Sequence, residues 1–321
     1  MTSSLNPENL IKEGYAALDD DDLPQAMDLA TKLIQLKHAR GFEILAMALE
    51  KQDRMEEAID VIRKGVSVVP EAYPLWELLG NLYSKEREYE KAETAYVTAL
   101  ACPGSNSASI SYNFAVMLRH SGNPEQALSI AMQISNPLLA VRVNTLKVSL
   151  LNNLKRFEDA MYLANTLISE IMSLEELGDE DMKDLAQVYA ELGRALFLGA
   201  GNKQAAFESA WKALEWERAE PTALWLVREL IGRKSVESRW FRFEVEGNWY
   251  FALEQGKTPP KFRVTYDIVA DNIDEAMMFA KHLEPPEIRE SMEIKTVSDR
   301  GAHAEYTQGL YWRSPYNFVM T

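Results

Sequence analysis

Five short segments along the chain share one shape at a nearly constant spacing: LPQAMDLA, MEEAIDVI, YEKAETAY, PEQALSIA and FEDAMYLA. Their marker alanines are Ala26, Ala58, Ala92, Ala127 and Ala160, in steps of 32, 34, 35 and 33 residues. A sixth segment, KQAAFESA, carries Ala206 after a step of 46. The long step predicts about 12 extra residues in one connection, at a period of roughly 34. Such a period restricts the fold more than composition does. Each unit is a small supersecondary element that buries its apolar face only by stacking on the next.

A second small residue lies twelve positions before most markers. Gly14, Ala46, Gly80, Ala115 and Val148 hold that place, and Gly193 does so one residue out of phase. The third copy is the clearest, with Trp76, Leu79, Gly80, Tyr83, Ala92, Tyr96 and Ala99; the second shows Leu45, Ala46, Ala58, Gly65 and Pro70. This series resembles the tetratricopeptide repeat, a helix–turn–helix unit, over roughly residues 7–218. The resemblance implies two antiparallel amphipathic helices per repeat, A and B, whose close crossing takes Gly or Ala and excludes larger side chains. Turn residues agree. Asp22 before Leu23-Pro24 and Asn123 before Pro124 read as N-caps followed by proline in the first turn. Pro70 and Pro103 follow the ends of B helices. The fifth copy departs, with Lys147 and Val148 in place of Leu-Gly. The insertion before the sixth copy, SLEELGDEDMKD, reads as a longer helix or an acidic loop. A helix over 221–227 is expected to cap the last apolar face of the array.

The helical period stops after Gly232. Phe241, Phe243 and Val245 alternate with Arg242, Glu244 and Glu246, and Phe262, Val264, Tyr266 and Ile268 alternate with Arg263, Thr265 and Asp267. Both runs predict half-buried strands. Residues 255–260 read as a loop. Asn272 with Glu275 predicts a helix start, and that helix ends before Pro285-Pro286. Further strands are expected at 292–297, 310–312 and 316–320. The expected fold is therefore an all-α superhelix of about six repeats plus a capping helix over 7–235, after a flexible N-terminus at 1–6. A small α+β domain of ββαββ type follows over 236–321. Its residues 239–321 carry 14 aromatics in 83 positions. They read either as large side chains filling a small core or as a ligand or peptide patch around Trp249, Tyr311, Trp312 and Tyr316.

Charge and motifs narrow the function classes. Lys plus Arg number 34 and Asp plus Glu 49, a formal net charge of −15. Nucleic acid and anionic membranes both require basic surface, so neither is an expected partner. The single cysteine, Cys102, excludes a disulfide framework and fits a reducing compartment such as the cytoplasm. The first residues, MTSSLNPENLIKEGY, lack the basic start and apolar run of a signal peptide. No stretch of about 18 apolar residues predicts a membrane span. The four histidines make no HxxxH or HxH pair, and no glycine signature of a nucleotide loop or nucleophile elbow is present. Asp19–Asp22 lacks the alternating ligands, glycine and closing glutamate of a calcium loop and reads as a solvated turn. His303 beside Glu305 reads as an exposed pair with no chemistry to perform. No catalytic, cofactor-binding or metal-binding residues are expected.

The A helices carry the candidate site. In peptide-binding members of the resembled family, groove asparagines grip the peptide backbone, and Lys or Arg hold a terminal carboxylate. An amide suits this role because it both donates and accepts. Asn81 and Asn113 coincide with the family's groove asparagines, and Arg142 with a basic groove position, with Asn144 nearby. Glu77 stands where the carboxylate-clamp type carries lysine, and Leu146 where it carries arginine. Residues 1–238 hold 24 basic and 36 acidic residues, and the remainder 10 and 13. An array this acidic favours a basic or neutral segment of another protein over an acidic one. The expected function is a non-enzymatic scaffold or adaptor that binds a partner's peptide or helix in the concave face. The alternatives are a self-assembling structural component, or a small-molecule sensor or enzyme acting through the C-terminal domain.

Overall fold

A computed structural model of the chain describes residues 6–174, 176–251 and 259–319. Residues 1–5 of the expected flexible N-terminus, 255–258 of the expected loop, Glu175 of the insertion and Met320 of the last expected strand lie outside the described residues. The chain forms two compact units, Met1–Leu150 and Leu151–Thr321.

The first unit is a succession of antiparallel helices. They are α1 (Pro7–Asp19), α2 (Leu23–Gln35), α3 (Ala39–Lys51), α4 (Met55–Val68), α5 (Tyr73–Lys85), α6 (Tyr89–Ala101), α7 (Ser107–His120) and α8 (Pro124–Gln133). A short 3₁₀ turn at Pro137–Leu139 leads into α9 (Ala140–Asn153), whose last residues enter the second unit. Odd-numbered helices are the A helices and even-numbered ones the B helices. The marker alanines Ala26, Ala58, Ala92 and Ala127 all lie on B helices with no exposed surface. Gly80 shows why the A-helix partner must be small. A Cβ there would stand 2.8 Å from the Tyr96 ring of the facing B helix. Tyr96 is itself fully buried and stacks on Phe114 of the next A helix, with centroids 5.6 Å apart. Within the repeat the glycine admits the ring; between repeats the ring joins neighbours.

The caps follow the sequence in part. The Asp22 carboxylate accepts from the Gln25 amide at 3.1 Å. Asn123 occupies the N-cap of α8, but its side chain donates to Ser121 Oγ at 3.0 Å and makes no bond to the helix. The proline that follows removes one helical N–H from the set needing a partner. The acidic run 19–22 is an interhelical turn, where Asp21 takes φ 59° and pairs with Lys51 at 3.2 Å.

The second unit continues with α10 (Phe157–Met172), α11 (Asp179–Leu198), α12 (Lys203–Trp216) and α13 (Pro221–Ile231). The insertion is absorbed largely by longer helices, α11 running 20 residues. Ala160 and Ala206 repeat the buried marker positions. An antiparallel sheet follows, of β1 (Arg239–Asn248), β2 (Lys261–Ala270), β3 (Glu293–Ala302), β4 (Gly309–Arg313) and β5 (Asn317–Val319), in the order β3-β1-β2-β4 with β5 also on β2. The helix α14 (Ile273–Leu283) and a single turn α15 (Pro286–Arg289) lie between β2 and β3. The alternation in sequence becomes register: Phe241, Phe243 and Val245 stand opposite Ile268, Tyr266 and Val264. Asn272 caps α14 by accepting from Glu275 N at 2.9 Å, while the Glu275 carboxylate accepts in return from Asp271 N at 2.8 Å.

Secondary structure changes from helix to strand between Ile231 and Arg239. Packing draws a different line. The inner sheet residues, together with Ala276 and Ala280 of α14, share one buried cluster with Ala213 and Leu214 of α12 and Ala223, Leu224 and Leu226 of α13. One eleven-residue helix is too small to cover a five-stranded sheet, and an apolar sheet face is buried wherever cover is available. Among the described residues, no helix is long and apolar enough to cross a membrane.

Candidate functional site

A cavity of about 780 Å³ opens in the first unit on the faces of three successive A helices. Helix α3 lines it with Arg40, Glu43, Met47 and Glu50, α5 with Glu77, Asn81 and Ser84, and α7 with Asn113, Val116 and His120. Each set steps by three or four residues, the spacing that puts side chains on one helix face. Arg87 and Tyr96 are also part of the wall.

Two hydrogen-bond relays hold the asparagines. The Tyr96 hydroxyl donates to Asn81 Oδ1 at 2.7 Å. Burial, reinforced by the charge of Glu77, pushes the Tyr96 pKa well above its usual value. The hydroxyl therefore stays a donor and fixes the amide's orientation, leaving Asn81 Nδ2 without an acceptor among the described residues. On the next A helix, Asn113 Nδ2 donates to Glu77 Oε1 at 2.9 Å, and Ser109 Oγ donates to the same oxygen at 2.8 Å. This leaves Asn113 Oδ1 as an acceptor. The cavity thus presents one amide donor and one amide acceptor from neighbouring repeats. Glu77, which replaces a clamp lysine, holds Asn113 in position.

The charged lining is mixed. Arg40 pairs with Glu43 at 2.5 Å, and Lys85 pairs with Glu50. Burial, with the nearby charges of Arg119 and Arg87, lowers the His120 pKa, so its imidazole is neutral at pH 7. The chain's acidity is not concentrated on this face.

Of the four groove residues expected from sequence, the structure brings Asn81 and Asn113 together. Arg142 and Asn144 lie on α9 and do not line this cavity. Asn144 instead accepts from Lys147 Nζ at 3.2 Å, and Leu146 is core. The four aromatics expected to form a patch, Trp249, Tyr311, Trp312 and Tyr316, fall into three groups. Trp249 meets Tyr316 at 4.8 Å between centroids, with Phe318 at 5.3 Å. Tyr311 packs on Trp240 at 4.9 Å. Trp312 lies under the Arg242 guanidinium at 5.6 Å.

Tyr316 also reaches a buried carboxylate. Glu284 accepts from Tyr266 at 2.7 Å, from Arg313 Nε at 2.8 Å and from the Tyr316 hydroxyl. Burial alone would raise the Glu284 pKa, but Arg313 and the tyrosine hydrogen bonds hold it below its usual value. The exposed pair His303–Glu305 is present at 3.2 Å, with the imidazole also edge-on to Trp240. Sequence reasoning missed the Tyr96 hydroxyl, Ser109 and Arg87 as parts of the site. The spacing of Ser109 to Asn113, four residues on one helix, was the available signal for the second.

The sequence model of the tetratricopeptide repeat family matches residues 75–102, which are α5 and α6. The helical array has the fold of tetratricopeptide repeat proteins. Among similar solved structures, pilF of Pseudomonas aeruginosa is 13% identical over 70% of this chain and 97% of that one, with a TM-score of 0.53. The APC/C hetero-tetramer Cut9–Hcn1 is 12% identical over 72% of this chain and 44% of its own, with a TM-score of 0.55. PilW, a type IV pilus biogenesis factor, is 17% identical over 60% and 84%, at a TM-score of 0.50. At these identities the likeness is one of fold. No curated protein matches the sequence.

Proposed function

We propose that the chain is a protein-interaction scaffold whose repeat array binds an extended segment of a partner on the A-helix face around Asn81 and Asn113. The fold supports the scaffold reading, since similar repeat proteins occur in assemblies such as Cut9–Hcn1. One observation supports the site. An amide donor and an amide acceptor, each oriented by a relay from behind, face one cavity from successive repeats. A peptide unit offers the complementary acceptor and donor, so an extended backbone would satisfy both. With mixed charges along the lining, side-chain selection falls to apolar contacts at Met47 and Val116 more than to net charge. No catalytic role is assigned to any residue of the cavity.

The test is selection of peptides from a displayed random library on the wild-type chain, followed by titration of the best binder. Asn81→Ala with Asn113→Ala removes two hydrogen bonds worth about 1 kcal/mol each, so affinity should fall about tenfold or more. Unchanged affinity in a folded double variant refutes the site while leaving the scaffold reading standing.

A further inference from the structure

The second unit holds another cavity, of about 450 Å³, beside α13, α14 and β4. Its walls are mainly apolar, with Trp211, Leu224, Met278, Phe279, Leu283 and Leu310. One wall is a guanidinium with no salt bridge among the described residues. Arg228 donates to the Leu310 carbonyl and lies 4.0 Å over the Tyr311 ring. No carboxylate pairs with it among the described residues. Burial pushes its pKa down, against the opposing influence of Tyr311 and the neighbouring Glu229. A guanidinium carries five N–H donors, and one carbonyl uses few of them. Arg228 is half-buried, and a charge partly withdrawn from water gains from an opposite charge beside it.

The other charged groups at the cavity do not supply the missing partner. Arg233 is held by Asp271 at 3.0 Å and Glu275 at 2.9 Å, so Glu275 is already engaged with another guanidinium. His282 packs its edge against Trp211 at 5.6 Å. The backbone makes room for the Arg228 stem. Gly309 adopts φ +132°, and a Cβ there would come within 3.0 Å of Arg228 Cγ.

We infer that this cavity binds a small amphipathic carboxylate, its aromatic or alkyl body among Trp211, Phe279 and Leu283 and its carboxylate on Arg228. The planar fork of arginine matches a carboxylate bidentately, and the volume lies within the range of about 300–1,000 Å³ typical of ligand pockets. This site is independent of the peptide site on the first unit and stands or falls separately.

The test is isothermal titration of the full chain with naphthalene carboxylate and with octanoate, each beside its neutral alcohol analogue. At least one acid should bind saturably, about tenfold or more tighter than its alcohol, as a charge-assisted hydrogen bond implies. Arg228→Gln should reduce the acid to the affinity of the alcohol and leave the alcohol unchanged. Arg228→Lys should retain part of the preference. Met278→Trp, at the exposed mouth, should weaken acid and alcohol alike; it keeps the test open if Arg228→Gln does not fold. Three outcomes overturn the inference: no saturable binding of either acid up to its solubility limit, equal affinity for acid and alcohol, or full acid binding by folded Arg228→Gln. The ring and chain probes distinguish the body the cavity accepts.

Discussion

Gly80→Ala isolates the contact that ties the repeat to the site. Two effects oppose each other. In a helix interior alanine is favoured over glycine by about 0.5–1 kcal/mol. The added Cβ, however, would stand 2.8 Å from Tyr96 Cε1 and 2.9 Å from Cδ1. That ring has little freedom to retreat. It is fully buried, stacked on Phe114 and held at its hydroxyl by Asn81. Overpacking of this kind costs about 1–3 kcal/mol, so the net effect is a loss of about 1 kcal/mol. A thermodynamic cycle gives the cleaner number. In a Tyr96→Leu background the ring is absent, and Gly80→Ala should become stabilising by the helix-propensity amount alone. The coupling energy is then the overpacking itself, about 2 kcal/mol. Urea unfolding followed by far-UV circular dichroism on all four proteins measures it. Coupling below about 0.5 kcal/mol, the scatter expected of independent sites, would refute the argument that Gly80 is glycine for the sake of Tyr96.

The remaining predictions concern the second unit. Glu220 caps α13 by accepting from Ala223 N at 2.5 Å, yet burial, with Glu191 nearby, pushes its pKa up to about 7. A carboxyl raised in the folded state contributes stability fully below its unfolded pKa and loses it as pH rises toward 7. Glu220→Gln should therefore match wild type at pH 4 and exceed it by about 3 kcal/mol above pH 8; denaturation midpoints that do not diverge with pH would count against it. Arg313→Leu strands Glu284 in the core and should cost about 3–5 kcal/mol, read as a fall in thermal midpoint. A variant that melts like wild type would show that Tyr266, Tyr316 and Arg218, 3.9 Å from the carboxylate, suffice to hold it.

Legibility from sequence followed the range of the interaction. Helix positions were readable because the small residues of each copy sit where the crossing excludes bulk, and the same residues recur along the chain. Strands β1 and β2 were readable from alternation, and their register follows from the same inward set. The extent of the second unit was not. Whether Leu224 faces a neighbouring helix or a sheet leaves no local mark, since both contacts require only an apolar side chain. The separation of Trp249, Tyr311, Trp312 and Tyr316 was hidden for a related reason. Composition counts aromatic rings, while their placement depends on pairing such as the register shift between Asp267 and Ile268, which falls opposite Tyr311 and Trp312 of β4.

The two cavities differ in the same way, and the difference explains why one was anticipated. In the first, Tyr96 and Asn81 lie 15 residues apart within one repeat, and the partners of the other relay about one repeat apart: Ser109 and Asn113 follow Glu77 by 32 and 36 residues. A period near 34 brings such residues onto adjacent A helices at similar heights, so the sequence contains the contact once the period is known. Glu77 alone looks like a departure from a basic clamp. Set beside the residues one period later, it becomes the acceptor that positions Asn113. In the second cavity, Arg228 meets Leu310 across 82 residues that include a sheet with no repeat. No period links them, and an arginine on a capping helix looks the same in sequence whether it faces water or an apolar wall. The placement of this guanidinium on an apolar cavity wall is therefore visible only when chain and sheet are folded together, and for that reason its ligand is the less predictable of the two.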